Sequence, residues 1–114
     1  MLSAFESEKT LIGALLLDAS CYVVVKDMLC PTDFFDPYHQ QIFDTIRKVY
    51  AARGVFDIAM VCDQGEFEPN YLLALANECC STANIRAHAE IIREKSVQRQ
   101  LAGVAKDIAE AAAQ

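Results

Sequence analysis

Apolar residues recur along most of the chain at intervals of three and four, the spacing of one helical face. No stretch alternates regularly enough for a strand. Phe5, Ile12, Leu15 and Leu16 follow this spacing with Lys9, which predicts a first helix to about Leu17, opened by a Ser3–Glu6 capping box. Ser20 is placed to cap a second helix over roughly 21–29 that Pro31 stops, although its Tyr22-Val23-Val24-Val25 core favours strand by propensity alone. Asp36-Pro37 is a strong start signal, a capping carboxylate followed by proline at the first helical position. Ile42, Phe43, Ile46, Val49 and Tyr50 carry that third helix to Gly54, with Arg47, Lys48 and Arg53 facing the negative end of its dipole. Asp57 caps a short helix at about 58–64, ended by Gly65, and Pro69 opens another through Leu72, Leu73, Leu75 and Ala76 to about Cys80. Ser81-Thr82 then cap the longest helix, about Ala83 to Ala112. Only Gly103 interrupts it, at a cost of about 1 kcal/mol relative to alanine.

The predicted fold is all-α: a small bundle of about five or six helices followed by a long C-terminal helix. One domain fills residues 1–114, the bundle at about 3–95 and the projecting part of the long helix at about 96–114. From Gln98 onward Leu101, Val104, Ala105, Ile108 and Ala112 form an apolar stripe that no other predicted segment is left to cover. Leu101, Val104, Ala105 and Ile108 are therefore candidates for self-association. The competing expectation is an ordinary amphipathic helix lying along its own bundle. Arg86, Arg93, Lys95 and Arg99 on the same helix read first as a solvated face. Arg93, Lys95 and Arg99 are also the candidates for contact with an acidic partner.

Charge narrows the partners. Residues 1–83 carry 5 basic and 12 acidic side chains, a net of −7, whereas residues 84–114 carry 5 basic and 4 acidic, a net of +1. Phosphate backbones are gripped by basic faces, so direct nucleic-acid binding by this chain is not expected. The hydrophobic share of 54% suits a packed core. The longest apolar run, Leu11 to Leu17, is far short of a membrane span. Glu6 and Glu8 stand where a secretory signal would place basic residues, so a cytoplasmic address is expected. The five cysteines (Cys21, Cys30, Cys62, Cys79, Cys80) form no C-x-x-C pair and are expected to be buried structural thiols.

No catalytic or cofactor motif emerges. The four glycines are followed by Ala14, Val55, Glu66 and Val104, never by lysine, so no phosphate-binding loop of the Gly-Lys-Ser/Thr kind is present. G-x-S-x-G and H-E-x-x-H are missing too. Asp36 and His39 could pair on paper as carboxylate and imidazole. The expected role of His39 is structural, tucked against Phe35 or Phe43 with local hydrogen bonds, and His88 is read in the same way. Asp33-Phe34-Phe35-Asp36 is expected to be a tight loop pinned by buried rings. No catalytic, cofactor-binding or metal-binding residue is assigned.

The order of the segments resembles the N-terminal domain of DnaB-type replicative DNA helicases. The resemblance rests on Glu6-Ser7-Glu8 with Leu11-Ile12-Gly13-Ala14-Leu15-Leu16-Leu17-Asp18, and on Asp33-Phe34-Phe35 with His39, Ile42 and Phe43. It continues with the loop from Gly54 to Ile58, with Tyr71-Leu72-Leu73-Ala74-Leu75-Ala76, and with Ser81, Ala83-Asn84-Ile85 and Ile91-Ile92-Arg93-Glu94-Lys95. The chain departs from the family pattern in a shortened segment between Asp57 and Tyr71 and in His88, where a tyrosine is usual. Both mark a divergent member.

The resemblance implies a helical bundle followed by a helical hairpin, of which the long helix is the first half. It implies self-association as a dimer and a higher ring in the full-length protein, with primase and a helicase loader as partners in DNA replication. ATP and Mg are then needed only by a RecA-like motor domain outside these residues. Other readings are a stand-alone adaptor or inhibitor that binds a host helicase collar, an unrelated helical module, and an enzyme built on His39 and Asp36.

Overall fold

The computed structural model describes residues 4–79 and 81–113. Among the described residues six α-helices run in order: α1 (Phe5–Leu17), α2 (Tyr22–Val25), α3 (Pro37–Arg53), α4 (Ile58–Gln64), α5 (Pro69–Glu78) and α6 (Ile85–Ala112). Short 3-10 turns at Ala19–Cys21 and Pro31–Asp33 lead into and out of the α2 region. Among the described residues there is no strand.

The start signals act as the sequence implies. The Asp36 carboxylate accepts from the backbone N–H groups of Tyr38 and His39 at the start of α3, and Pro37 occupies the first turn. Asp57 accepts from Met60 N–H at the start of α4. Gly54 ends α3 in the left-handed region at φ 74°, where a side chain would be strained. Ser3 lies outside the described residues, and α1 begins behind Ala4 with no side-chain cap.

The second predicted helix is much shorter than expected. Asp18, rather than Ser20, caps the 3-10 turn by accepting from Ser20 N–H, and α2 covers only Tyr22–Val25. The β-branched run limits it to one turn, with Tyr22 and Val25 inward and Val23 and Val24 outward. The long helix starts at Ile85 behind Asn84, because the Ser81 hydroxyl accepts from Ala83 N–H in a turn of its own.

α1 is the central element. It packs on α5, α6 and α3, and its Leu11, Ile12, Ala14 and Leu15 are all buried. Gly13 sits where α1 crosses α5: a Cβ there would lie 2.3 Å from the Leu75 carbonyl oxygen. Ile42, Phe43 and Ile46 of α3, Leu72 and Leu75 of α5, and Ile85, Ala89 and Ile92 of α6 complete the core. The aromatic side, Tyr22, Phe43, Tyr50 and Phe56, closes the other end. The molecule measures 52 × 27 × 25 Å, and the long dimension reflects α6.

Candidate interaction surface

Two polar clusters inside the bundle hold the helices in register. The first joins α1, α3 and α5. Glu8 is fully buried; its carboxylate accepts from Phe35 N–H at 2.6 Å and lies 2.8 Å from His39 Nδ1. His39 Nε2 is 2.6 Å from the Tyr71 hydroxyl. Burial first, then the Coulombic influence of Asp36 and lesser contributions from Tyr38, Glu78 and Glu8, pushes the Tyr71 pKa up, so its hydroxyl keeps its proton. The imidazole thus bridges the Glu8 carboxylate on one side and the Tyr71 hydroxyl on the other. Phe5 stacks on the imidazole with centroids 5.1 Å apart.

This corrects the local role expected for His39. Asp36 caps the backbone instead of pairing with the imidazole, and the partners of His39 come from helices 31 and 32 residues away. The imidazole is fully enclosed, so the chemistry of the cluster is to join three helices without leaving a buried polar atom unpaired. His88, in turn, lies 3.1 Å from the Ser7 hydroxyl and ties α6 to α1.

The second cluster centres on Asp33, also buried. Its Oδ1 accepts from Arg93 at 2.7 Å and from the Ser96 hydroxyl at 2.8 Å, and its Oδ2 accepts from Cys30 N–H at 2.9 Å. Arg99 donates to the Asp33 carbonyl at 2.8 Å, and its guanidinium lies 5.4 Å from the centroid of the Phe35 ring. Burial alone would raise the Asp33 pKa. The bonds from Cys30, Ser96 and Arg93 outweigh it and hold the carboxyl below its usual range. Phe35 is 53% exposed, so only Phe34 of the expected loop rings is buried.

These contacts sort the candidate partner residues. Arg93 and Arg99 grip Asp33 rather than standing free in solvent. Among the described residues Lys95 makes no ion pair of this kind. Cys21 is buried as expected and Cys62 and Cys79 are half-buried, but Cys30 is exposed; Cys80 lies outside the described residues.

The self-association candidates lie elsewhere. α6 buries Ile85, Ala89, Ile92 and Ser96 against the bundle, and from Leu101 to Ala113 every residue is exposed. Leu101 is 64% exposed, Val104 55% and Ile108 65%. At 100° per residue the stripe of Leu101, Val104, Ala105 and Ile108 is turned about 140° from the face that packs on the body. Helix α6 therefore carries two faces, and the second does not continue the first. Val97, Leu101, Val104, Ile108 and Ala111 follow one another at intervals of 4, 3, 4 and 3, the heptad spacing of a helix–helix seam. The apolar stripe alone announced this surface. Its rotation relative to the body needed the burial pattern.

The family follows from the sequence as a whole: the DnaB-like helicase N-terminal domain profile matches residues 1–94. The chain belongs to this family. It is 34% identical over 116 aligned residues to the replicative DNA helicase DnaB of Geobacillus stearothermophilus, covering 94% of this chain and 25% of that protein. To the Rhodothermus marinus DnaB it is 31% identical, covering 86% of this chain and 11% of that one. It thus spans a quarter or less of the length of these DnaB relatives.

The fold agrees. The N-terminal domain of DnaB helicase from Mycobacterium tuberculosis superposes with a TM-score of 0.88 at 24% identity, covering 95% of this chain and 84% of that one. The N-terminal domain of DnaB helicase from Helicobacter pylori, described together with its interactions with primase, gives 0.83 at 23% identity, covering 95% and 90%.

Proposed function

We propose that this DnaB-like N-terminal domain is a non-catalytic assembly and protein-interaction module of an ATP-dependent replicative DNA helicase. It pairs with itself through the distal half of α6 and receives primase or a loader during DNA replication. ATP and Mg serve a motor domain outside these residues. The module works in the cytoplasm; among the described residues no helix is long and apolar enough to cross a membrane.

One observation carries this reading: an exposed heptad seam from Val97 to Ala111, turned away from the bundle that the rest of α6 packs on. Among the described residues nothing covers these two heptads of apolar side chains, and their burial needs a facing helix. The seam is therefore completed by further helix, from a second copy or from the other half of a hairpin. Contact with primase is supported by the Helicobacter pylori DnaB domain, whose interactions with primase were determined with its structure.

Replacing Leu101 and Ile108 together with Asp tests the seam. Sedimentation equilibrium should give dimers or larger species for the native chain and 12.6 kDa monomers for the variant, with helicity retained. Equal masses for the two would sink the self-association reading. Titration of a cognate primase into both proteins then asks whether its site depends on assembly.

A further inference from the structure

Among the described residues, contacts from the projecting half of α6 to the body gather around Asp33. Ile85, Ala89 and Ile92 fix the proximal half by apolar packing, and beyond Ser96 no described residue is buried. The last grip on the body is polar and converges on Asp33, through Arg93 and Ser96 on the carboxylate and Arg99 on the carbonyl. Asp33 is itself fixed by the Pro31–Asp33 turn, with Cys30 N–H on its carboxylate and its own N–H on the Cys30 carbonyl, both at 2.9 Å. The three helix residues span about 9 Å of axis and about 120° of circumference. Such a grip resists tilting and rolling together.

We infer that Asp33 is a positioning residue that sets the direction and rotational phase of the projecting helix, and hence how the seam meets a second copy of this chain. The inference rests on the reading of α6 as the assembly element. Leverage gives Asp33 its effect. Ala112 lies about 24 Å beyond Ser96 along the axis, so a tilt of about 20° at the grip moves the tip by about 8 Å. That displacement exceeds one helical turn and would take knobs out of their holes.

The test measures orientation inside one molecule. Residual dipolar couplings and amide order parameters are recorded for the 114-residue chain carrying L101D and I108D, which keeps it monomeric. With Asp33 present, the amides of residues 98–112 should share the alignment of the bundle, with order parameters near 0.85. Asp33→Ala and Arg93→Gln should turn that segment away, so that its couplings no longer fit the bundle's alignment, while the bundle keeps its own couplings. Asp33→Asn, which keeps an acceptor, should restore part of the alignment. If 98–112 stayed on the bundle's alignment in both Asp33→Ala and Arg93→Gln, the inference would be overturned. Arg93 is half-exposed, so its variant serves even if Asp33→Ala fails to fold.

The same substitutions are then placed on native Leu101 and Ile108. Self-association should weaken about tenfold, equivalent to about 1.4 kcal/mol. Couplings that respond in a chain that never self-associates would leave Asp33 its role and remove the assembly reading. Association and couplings that both ignore the substitutions would remove Asp33 and leave the assembly reading intact.

Discussion

A buried charge is costly unless every one of its hydrogen-bonding atoms is met, and this bundle buries two carboxylates. Glu8 and Asp33 are each met by backbone amides and side chains from distant segments, and no described buried side-chain nitrogen or oxygen is without a partner. Each carboxylate has a consequence that can be measured. Tyr71→Phe leaves His39 Nε2 buried without its hydrogen-bond partner, so stability in urea should fall by about 1–3 kcal/mol with little change in cooperativity. Asp33 supplies a pH signature. Its folded pKa lies below the unfolded value of about 3.9, so its contribution is complete above that value and is lost as pH falls through the folded pKa. The stability difference between native chain and Asp33→Asn should therefore shrink toward zero in acid. A difference unchanged from pH 5 to pH 2 would contradict it. At this scale the sequence was legible only in part. Glu8 shares a helical face with Leu11, Ile12 and Leu15, and His39 with Ile42, Phe43 and Ile46, so each sits at a core position that demands a partner. That signal marks the demand without naming who meets it. The nearest carboxylate in sequence, Asp36, is taken up by capping α3.

Helix ends were read well where a cap has one mechanism. α3 and α4 begin at the Asp36 and Asp57 carboxylates and stop at Gly54 and Gly65, since each device satisfies a backbone group that nothing else reaches. α2 failed because its β-branched run had two local preferences and the tertiary core settled the matter with a single turn. Two glycines within helices make opposite predictions. At Gly13 a Cβ would strike the Leu75 carbonyl group, which is backbone and cannot rotate away. Gly13→Ala should force α1 from α5 and cost about 1–3 kcal/mol in global unfolding. At Gly103 a Cβ meets nothing within 4 Å. Gly103→Ala should raise helicity and slow amide exchange around residues 100–112, adding up to about 1 kcal/mol there and nothing to the bundle. Destabilisation by Gly103→Ala in the monomeric background would mean that the distal helix is not the free-standing rod described.

On the scale of the whole molecule, charge and shape are divided in the same way. The body holds most of the acidic excess, with 5 basic and 12 acidic residues over 1–83, and α6 carries the apolar seam clear of it. The unpartnered stripe was visible in the sequence because no other predicted segment could cover it. The division of α6 into two faces about 140° apart emerged only once burial showed which residues touch the body. This arrangement gives self-association a definite salt dependence. If the contact were made by Arg93, Lys95 and Arg99 against acidic surface, screening would weaken it. Arg93 and Arg99 are already engaged with Asp33, and the seam itself is made of Val97, Leu101, Val104, Ile108 and Ala111. What salt screens is then the repulsion between two acidic bodies, over a Debye length that falls from about 10 Å at 0.1 M to about 3 Å at 1 M. The apolar term is left in place. Sedimentation equilibrium from 0.05 to 0.5 M NaCl should therefore show association that holds or strengthens modestly as salt rises. A dissociation constant that climbs steadily with salt would mean that ion pairs, and not the seam, bring the copies together.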